Sequence, residues 1–191
     1  MRTQTPFQDR LYHLALFLFG QLRVLHLRAL GLRLPASVKV GRRIHWPVQN
    51  LSRLHIGERV ALGSGIMFCI TPDLPDSGIT IGDGSHLSRG CVLSAASRMV
   101  IGRNCRIGYN VGIMDQVNMP DGTSEARPIT IGDNVFIGAN SVIQPGATIE
   151  PGCIIGPNLS ISSRIPADNV VGLSPKIYGD KRHLPHQLVK I

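Results

Sequence analysis

The chain has 191 residues, a net charge of +8 and only 5% aromatic residues. This length fits one domain with appendages, and so few aromatics suit a thin interior better than a broad globular core. The four cysteines, Cys69, Cys91, Cys105 and Cys153, include no CxxC pair. Disulfides and a thiolate metal site are therefore not indicated, and a reducing, cytoplasmic compartment is expected.

The N-terminal segment carries the excess charge. Residues 1–55 contain nine Lys or Arg and one acid, whereas the remaining residues contain equal numbers of basic and acidic residues. Residues 6–34 are rich in Leu and predict one or two helices that end before Pro35. The apolar stretch 14–19 is too short to span a bilayer, and no signal-peptide cleavage site follows it.

Two interpretations of this segment remain open. It either packs against the rest of the protein or a second subunit, or it lies on an anionic membrane with Leu and Phe inserted and Arg at the headgroups. The second would place the protein peripherally on the inner face of the membrane. Nucleic acid is not an expected partner, because basic and aromatic residues are not interleaved.

From Ile56 onward an aliphatic or aromatic residue recurs every six residues. The repeat comprises Ile56, Leu62, Phe68; Ile81, Leu87, Leu93; Ile101, Ile107, Ile113; and Ile131, Ile137, Ile143, Ile149, Ile155, Ile161. Neither the 3.6-residue period of a helix nor the two-residue period of a strand sustains this pattern. A parallel β-helix with three flat sides per coil does, because each side places one apolar residue inward.

Other positions of the hexad agree with that fold. The second is usually Gly, where the backbone must turn beside the inward side chain, and the fourth is usually Gly or Asn, which tolerate a left-handed conformation at a corner. The fifth is small or β-branched and includes Cys91, Cys105 and Cys153. We expect these three cysteines to be interior packing residues. Stability should come from stacking coils, since no coil buries its face alone.

The repeat is interrupted in three places, between Phe68 and Ile81, between Leu93 and Ile101, and between Ile113 and Ile131. The longest interruption predicts a loop over residues 115–127 that leaves the coil. Insertions in solenoids often form the binding face, although a purely structural loop is the alternative. The expected organisation is a helical segment over 1–36, a β-helix over 37–166 and a tail over 167–191.

Two stretches resemble a known family: ARPITIGDNVFIGANSVIQPGATI (126–149) and IPADNVVGLSPK (165–176). They are similar to hexapeptide-repeat acetyltransferases, closest to the maltose and galactoside O-acetyltransferase type and its relatives that modify surface polysaccharides. The resemblance covers about residues 38–178. It implies a left-handed β-helix, a homotrimer with active sites between neighbouring coils, acetyl-CoA as donor and a carbohydrate hydroxyl as acceptor.

The resemblance also implies donor-binding positions. By motif position these are Ala139, Pro157, Ser162 and Ser163, with Lys176 as a candidate phosphate contact. The segment around Lys176 is one residue shorter than the usual family motif. Coil packing is the alternative role for each of these residues.

The loop departs from the family at the catalytic position. The family's general base is a His in this loop, whereas residues 115–127 contain no His. Asp115 or Asp121 could substitute, although an exposed carboxylate is a weak base at pH 7 unless it is desolvated. His86, expected at an outward corner, is a further candidate, and His183 and His186 have no specific support. Gln116 and Asn118 are candidate substrate contacts.

Three functions compete on these residues. The first is an acetyl-CoA-dependent O-acetyltransferase acting on a sugar hydroxyl in bacterial surface polysaccharide or a related glycan. The second is a trimeric scaffold without activity, which the missing loop His favours. The third, a zinc enzyme of the three-His type, is disfavoured because residues 56–165 contain only one His, and we expect no metal.

Overall fold

The computed structural model describes residues 25–29, 31–32, 34–71, 76–172 and 187–189. Within them the strands form three stacked parallel sheets and one small hairpin. Sheet A contains β1 (Lys39–Val40), β3 (Ala61–Leu62), β6 (His86–Leu87), β9 (Arg106–Ile107), β14 (Phe136–Ile137), β17 (Ile154–Ile155), β20 (Asn169–Val171) and β21 (Gln187–Val189). Sheet B contains β4 (Met67–Ile70), β7 (Val92–Ala95), β10 (Gly112–Met114), β15 (Val142–Ile143) and β18 (Ser160–Ile161). Sheet C contains β2 (Leu54–Ile56), β5 (Gly78–Ile81), β8 (Arg98–Ile101), β13 (Ile129–Ile131), β16 (Thr148–Ile149) and β19 (Arg164–Ile165).

The chain visits the three sheets in turn, so each circuit is one coil of a parallel β-helix, as the six-residue period predicts. Register keeps equivalent residues in line: Ile107, Ile137 and Ile155 pair successively in sheet A. Every first-position residue of the repeat is buried. Each contributes roughly 1.5–3 kcal/mol of apolar burial. Cys91, Cys105 and Cys153 are buried too, which confirms their packing role.

The corners have the predicted left-handed backbone. Asn104, Asn110, Asn134, Asn140 and Asn158 have φ between 54° and 59°, where an Asn costs less than other residues with a side chain. Arg43, Arg59 and Asp168 also adopt positive φ, and the composition of the repeat did not predict these three.

The second-position glycines serve the stacking of coils rather than a turn. A Cβ on Gly108 would lie 2.7 Å from the backbone nitrogen of Ala139, and one on Gly102 would lie 2.6 Å from the carbonyl carbon of Gly132. The φ of neither residue is positive. Close approach of the next backbone, and not local turning, therefore excludes a side chain here.

The ends of the coil are closed by flanking segments. Residues 25–29 are helical, and Leu27, Leu32 and Leu34 belong to the apolar core. This part of the N-terminal segment therefore packs on the coil, whereas the rest of 6–34 lies outside the described residues. No helix in the described ranges has the length and apolarity needed to cross a membrane. A 3₁₀ segment, Val48–Arg53, precedes β2. At the other end β20 and β21 continue sheet A past residue 166.

Candidate active site

The interruption at 115–127 is a β-hairpin, a regularity that the sequence pattern did not predict. β11 (Gln116–Asn118) pairs with β12 (Ser124–Ala126) in antiparallel fashion. At its tip Oδ1 of Asp121 accepts hydrogen bonds from the backbone nitrogen of Thr123 at 2.9 Å and from its Oγ1 at 2.6 Å. These bonds lower the pKa of Asp121. The tip is thus held by a side chain that mimics a turn.

The base of the hairpin is tied to the coil. The backbone nitrogen of Arg127 donates to the carbonyl of Asp115 at 2.8 Å, and the nitrogen of Gly146 in the next coil donates to the carbonyl of Arg127 at 3.2 Å. The side chain of Arg127 pairs with Glu125 at 3.1 Å. The hairpin therefore leaves the corner between sheets B and C with a defined starting direction.

Asp115 is buried beneath this base. Its Oδ1 accepts the backbone N–H of Ala96 at 2.7 Å, and its Oδ2 accepts that of Ser97 at 2.8 Å. Burial raises the pKa of Asp115, and the two N–H groups offset part of that effect. With both oxygens occupied inside the protein, the carboxylate links the hairpin to the preceding coil. This geometry favours a positioning role over proton transfer.

The two amide residues predicted to contact substrate lie on β11. Nε2 of Gln116 is 3.4 Å from Oδ1 of Asn118, and Oγ of Ser124 donates to that same oxygen at 2.8 Å. Asn118 is exposed and Gln116 is half-buried. The hairpin thus carries a small hydrogen-bonded polar cluster above the corner.

The predicted donor residues flank the two edges of sheet B. Ala139 and Pro157 occupy the corner between sheets A and B in successive coils, where the nitrogen of Asn158 donates to the carbonyl of Ala139 at 2.9 Å. Ser162 and Ser163 are exposed at the opposite corner, the one from which the hairpin leaves. The structure therefore brings Ser162 and Ser163 to the same side as the hairpin. Lys176, His183 and His186 lie outside the described residues.

His86 is separated from this group. It was expected at a corner, but it lies in β6 and points outward from the flat face of sheet A, between its partners Ala61 and Arg106. Within one chain, His86 lies on sheet A and Asp115 lies at the corner that follows sheet B, and they are not brought together. Among the described residues, no three His, Cys, Asp or Glu side chains gather as they would around a metal ion.

The outer face of sheet B between the two corners is largely apolar, a feature that was not predicted. Met67 and Met114 are each 39% exposed, and the side chains of Val92 and Val142 lie half-buried on the same face. The signal was present in three strands, because Met67, Val92 and Val142 each directly precede an inward residue of the repeat.

Comparisons with known proteins agree with this architecture. The family described as "Bacterial transferase hexapeptide (six repeats)" matches residues 128–163, and the one described as "Hexapeptide repeat of succinyl-transferase" matches residues 53–95 and 98–122. No curated protein is detectably similar in sequence.

Solved structures share the fold at low identity. A maltose O-acetyltransferase from Clostridium difficile 630 is 23% identical with a TM-score of 0.55, over 64% of this chain and 66% of that one, slightly under two thirds of its length. A hexapeptide-repeat acetyltransferase from Vibrio cholerae is 24% identical with a TM-score of 0.57, over 67% and 73% of the two chains. The N-acyltransferase AntD from Bacillus cereus, in complex with dTDP and 3-hydroxybutyryl-CoA, is 17% identical with a TM-score of 0.58, over 71% and 74%. The chain belongs to the hexapeptide-repeat family of left-handed β-helix proteins.

Proposed function

We propose that this protein is an acetyl-CoA-dependent O-acetyltransferase that modifies a sugar hydroxyl in surface polysaccharide or a related glycan. The observation that carries the proposal is the hairpin over 115–127, which leaves a rigid coil at the same corner as Ser162 and Ser163. It presents the exposed amide of Asn118 beside that corner. A polar loop on a rigid scaffold is a common place for substrate contacts. The similarity to a maltose O-acetyltransferase supports this choice of reaction.

The donor fits the corner between sheets A and B. Ala139 and Pro157 carry no long side chains, so an extended thioester arm can lie against the backbone there. Ser162 and Ser163 offer exposed hydroxyls at the far edge of sheet B, and Lys176 is the proposed phosphate contact. The acyl-CoA bound by AntD, which has the same fold, supports a CoA thioester as donor.

We further propose a homotrimer, because the residues assigned to the site do not meet within one chain. The apolar outer face of sheet B, with Met67 and Met114 exposed, is a suitable contact between copies. Such packing can bring His86 of one copy toward the hairpin of the next. His86 is then the candidate base, and Asp115 the positioning residue.

The chemistry needs little from the protein beyond placement. The acceptor oxygen attacks the thioester carbonyl carbon, the new C–O bond forms, the C–S bond breaks, and the acceptor proton ends on the CoA sulfur. Because a thiolate is a good leaving group, holding the two reactants together and stabilising the oxyanion supply much of the rate. Gln116 and Asn118 are the proposed groups that orient the acceptor.

One observation favours a second candidate, a β-helix scaffold without activity: the hairpin contains no His. The two functions differ in turnover. Incubation with acetyl-CoA and a set of bacterial polysaccharides, with free CoA detected by a thiol reagent, should show acceptor-dependent release. Release should fall at least tenfold in Asn118→Ala and stay unchanged in Thr130→Ala, an exposed position on sheet C. No release with any acceptor would favour the scaffold.

A further inference from the structure

Basic and apolar residues are segregated along one edge of the coil. Sheet A and the corner that follows it pass through six successive segments, KVGRR (39–43), ALGSG (61–65), HLSRG (86–90), RIGYN (106–110), FIGAN (136–140) and IIGPN (154–158). The first four contain five Lys or Arg, one His and no acid, whereas the last two contain no charged residue. We call the first four segments the basic strip.

The register makes the basic strip straight. Ala61 pairs with His86 and His86 with Arg106 in sheet A, so their outward side chains stack along the coil axis. The following corner is stacked as well, since the nitrogen of Asn110 donates to the carbonyl of Arg89 at 3.0 Å. Neighbouring strands lie about 4.8 Å apart, so four segments extend over roughly 14 Å.

The cations of the strip are available to a ligand. Lys39, Arg42, Arg89 and Arg106 are exposed, and the ion pairs formed by Arg103, Arg127 and Arg164 involve no residue of the strip. The guanidinium of Arg89 lies 5.4 Å from the centroid of the Tyr109 ring. This stacking holds one cation in place beside an exposed aromatic face.

Two acids at the corner that precedes sheet A have partners of their own. Oδ1 of Asp83 accepts the backbone N–H of Glu58 at 2.8 Å, and the carboxylate of Glu58 accepts the hydroxyl of Ser37. Both acids belong to the corner between sheets C and A, on the far side of the sheet from Arg89. The strip therefore presents uncompensated positive charge.

From this segregation we infer that the basic strip binds an acidic polysaccharide and that the acceptor is a polyanion. This inference rests on the proposed function. The strip ends at Tyr109. Ala139, the proposed donor position, occupies the equivalent corner position in the next coil. A linear polyanion along the strip would thus bring its hydroxyls to the acetyl group. A straight row of cations suits a linear polyanion better than a membrane, which needs a broad face with apolar side chains among the cations.

The test measures binding without turnover. Fluorescently labelled polygalacturonate should bind the full chain at low salt and weaken steeply with added salt, whereas neutral dextran should not bind. The double variant R89Q/R106Q should weaken polygalacturonate binding roughly tenfold, through loss of two cations from the strip. R98Q is the matched control for R106Q, because Arg98 is an exposed outward residue of sheet C.

The outcomes separate this inference from the proposed function. Three results would overturn the inference that the strip binds an acidic glycan. They are equal weakening in R98Q and R106Q, no binding of polygalacturonate, and tighter binding to vesicles of anionic phospholipid than to polygalacturonate. Acetyl-CoA binding, measured by calorimetry, should be the same in R89Q/R106Q as in the unmodified chain. Failure to bind acetyl-CoA while polygalacturonate still binds would overturn the proposed function, and with it the role of the glycan as acceptor, but not polyanion binding by the strip.

Discussion

The carboxylate of Asp115 accepts the backbone N–H of Ala96 at 2.7 Å, across the corner of the preceding coil. Its second oxygen bonds Ser97 in the same way at 2.8 Å. Asp115 is the first residue of the interruption, so one side chain joins the hairpin to the coil beneath it. Both oxygens are thus engaged by backbone donors, which favours a positioning role for Asp115.

Replacement of Asp115 by Ala should lower the free energy of unfolding by about 2–4 kcal/mol, because two buried N–H groups lose their partners. Asn should also be poorly tolerated, since its NH₂ group would face one of those donors. Urea unfolding followed by circular dichroism measures the loss. If Asp115 positions the hairpin, folded D115N should keep acetyl-CoA binding and lose acceptor turnover. If D115A lowers the free energy of unfolding by less than about 0.5 kcal/mol, the buried hydrogen bonds of Asp115 do not stabilise the fold as proposed.

The four thiols should differ sharply in reactivity. Cys69 is exposed, whereas Cys91, Cys105 and Cys153 are buried, and burial raises the pKa of each of these three thiols. We expect any modification of folded protein by a thiol reagent to fall on Cys69, which shares the outer face of sheet B with Met67, and the other three to react only after unfolding. The control is Cys69→Ser, which should be unreactive when folded. Rapid modification of a second cysteine in folded protein would be inconsistent with the packed interior.

The corner at Asn134 offers a test of the backbone geometry. Its φ is 59°, and its nitrogen donates to the carbonyl of Arg103 at 2.8 Å. Replacement by Ala should reduce stability by about 1 kcal/mol, whereas Gly should be close to neutral, because only Ala brings a Cβ into a left-handed position. Thermal unfolding of the two variants side by side gives the comparison. A Gly variant less stable than the Ala variant would argue against a left-handed backbone at Asn134.

The coil could be predicted from the sequence because a single period governs it. The burial of Ile137 and of Cys153 each follows from their place in a hexad, because each side of the coil buries one apolar residue and each interior corner has room only for a small side chain. The regular pattern also located the interruption at 115–127, where aliphatic residues fail to recur.

The environment of Asp115 could not be predicted in the same way. Its burial depends on the N–H groups of Ala96 and Ser97, nearly twenty residues earlier, and a repeat pattern contains no information about such pairs. The hairpin likewise depends on pairing between Val117 and Glu125, which the polar composition concealed. Arg59 at a left-handed corner shows that coil stacking can impose a conformation that its residue type does not favour.

The central claim is that the chain binds acetyl-CoA beside Ala139 and transfers its acetyl group. Calorimetric titration with acetyl-CoA tests the binding of the donor without knowledge of the acceptor. We predict micromolar binding with one site per chain, lost in Ala139→Trp, which would fill the corner, and retained in the exposed control Thr130→Trp. No heat of binding at millimolar acetyl-CoA, or equal binding by both Trp variants, would contradict the account.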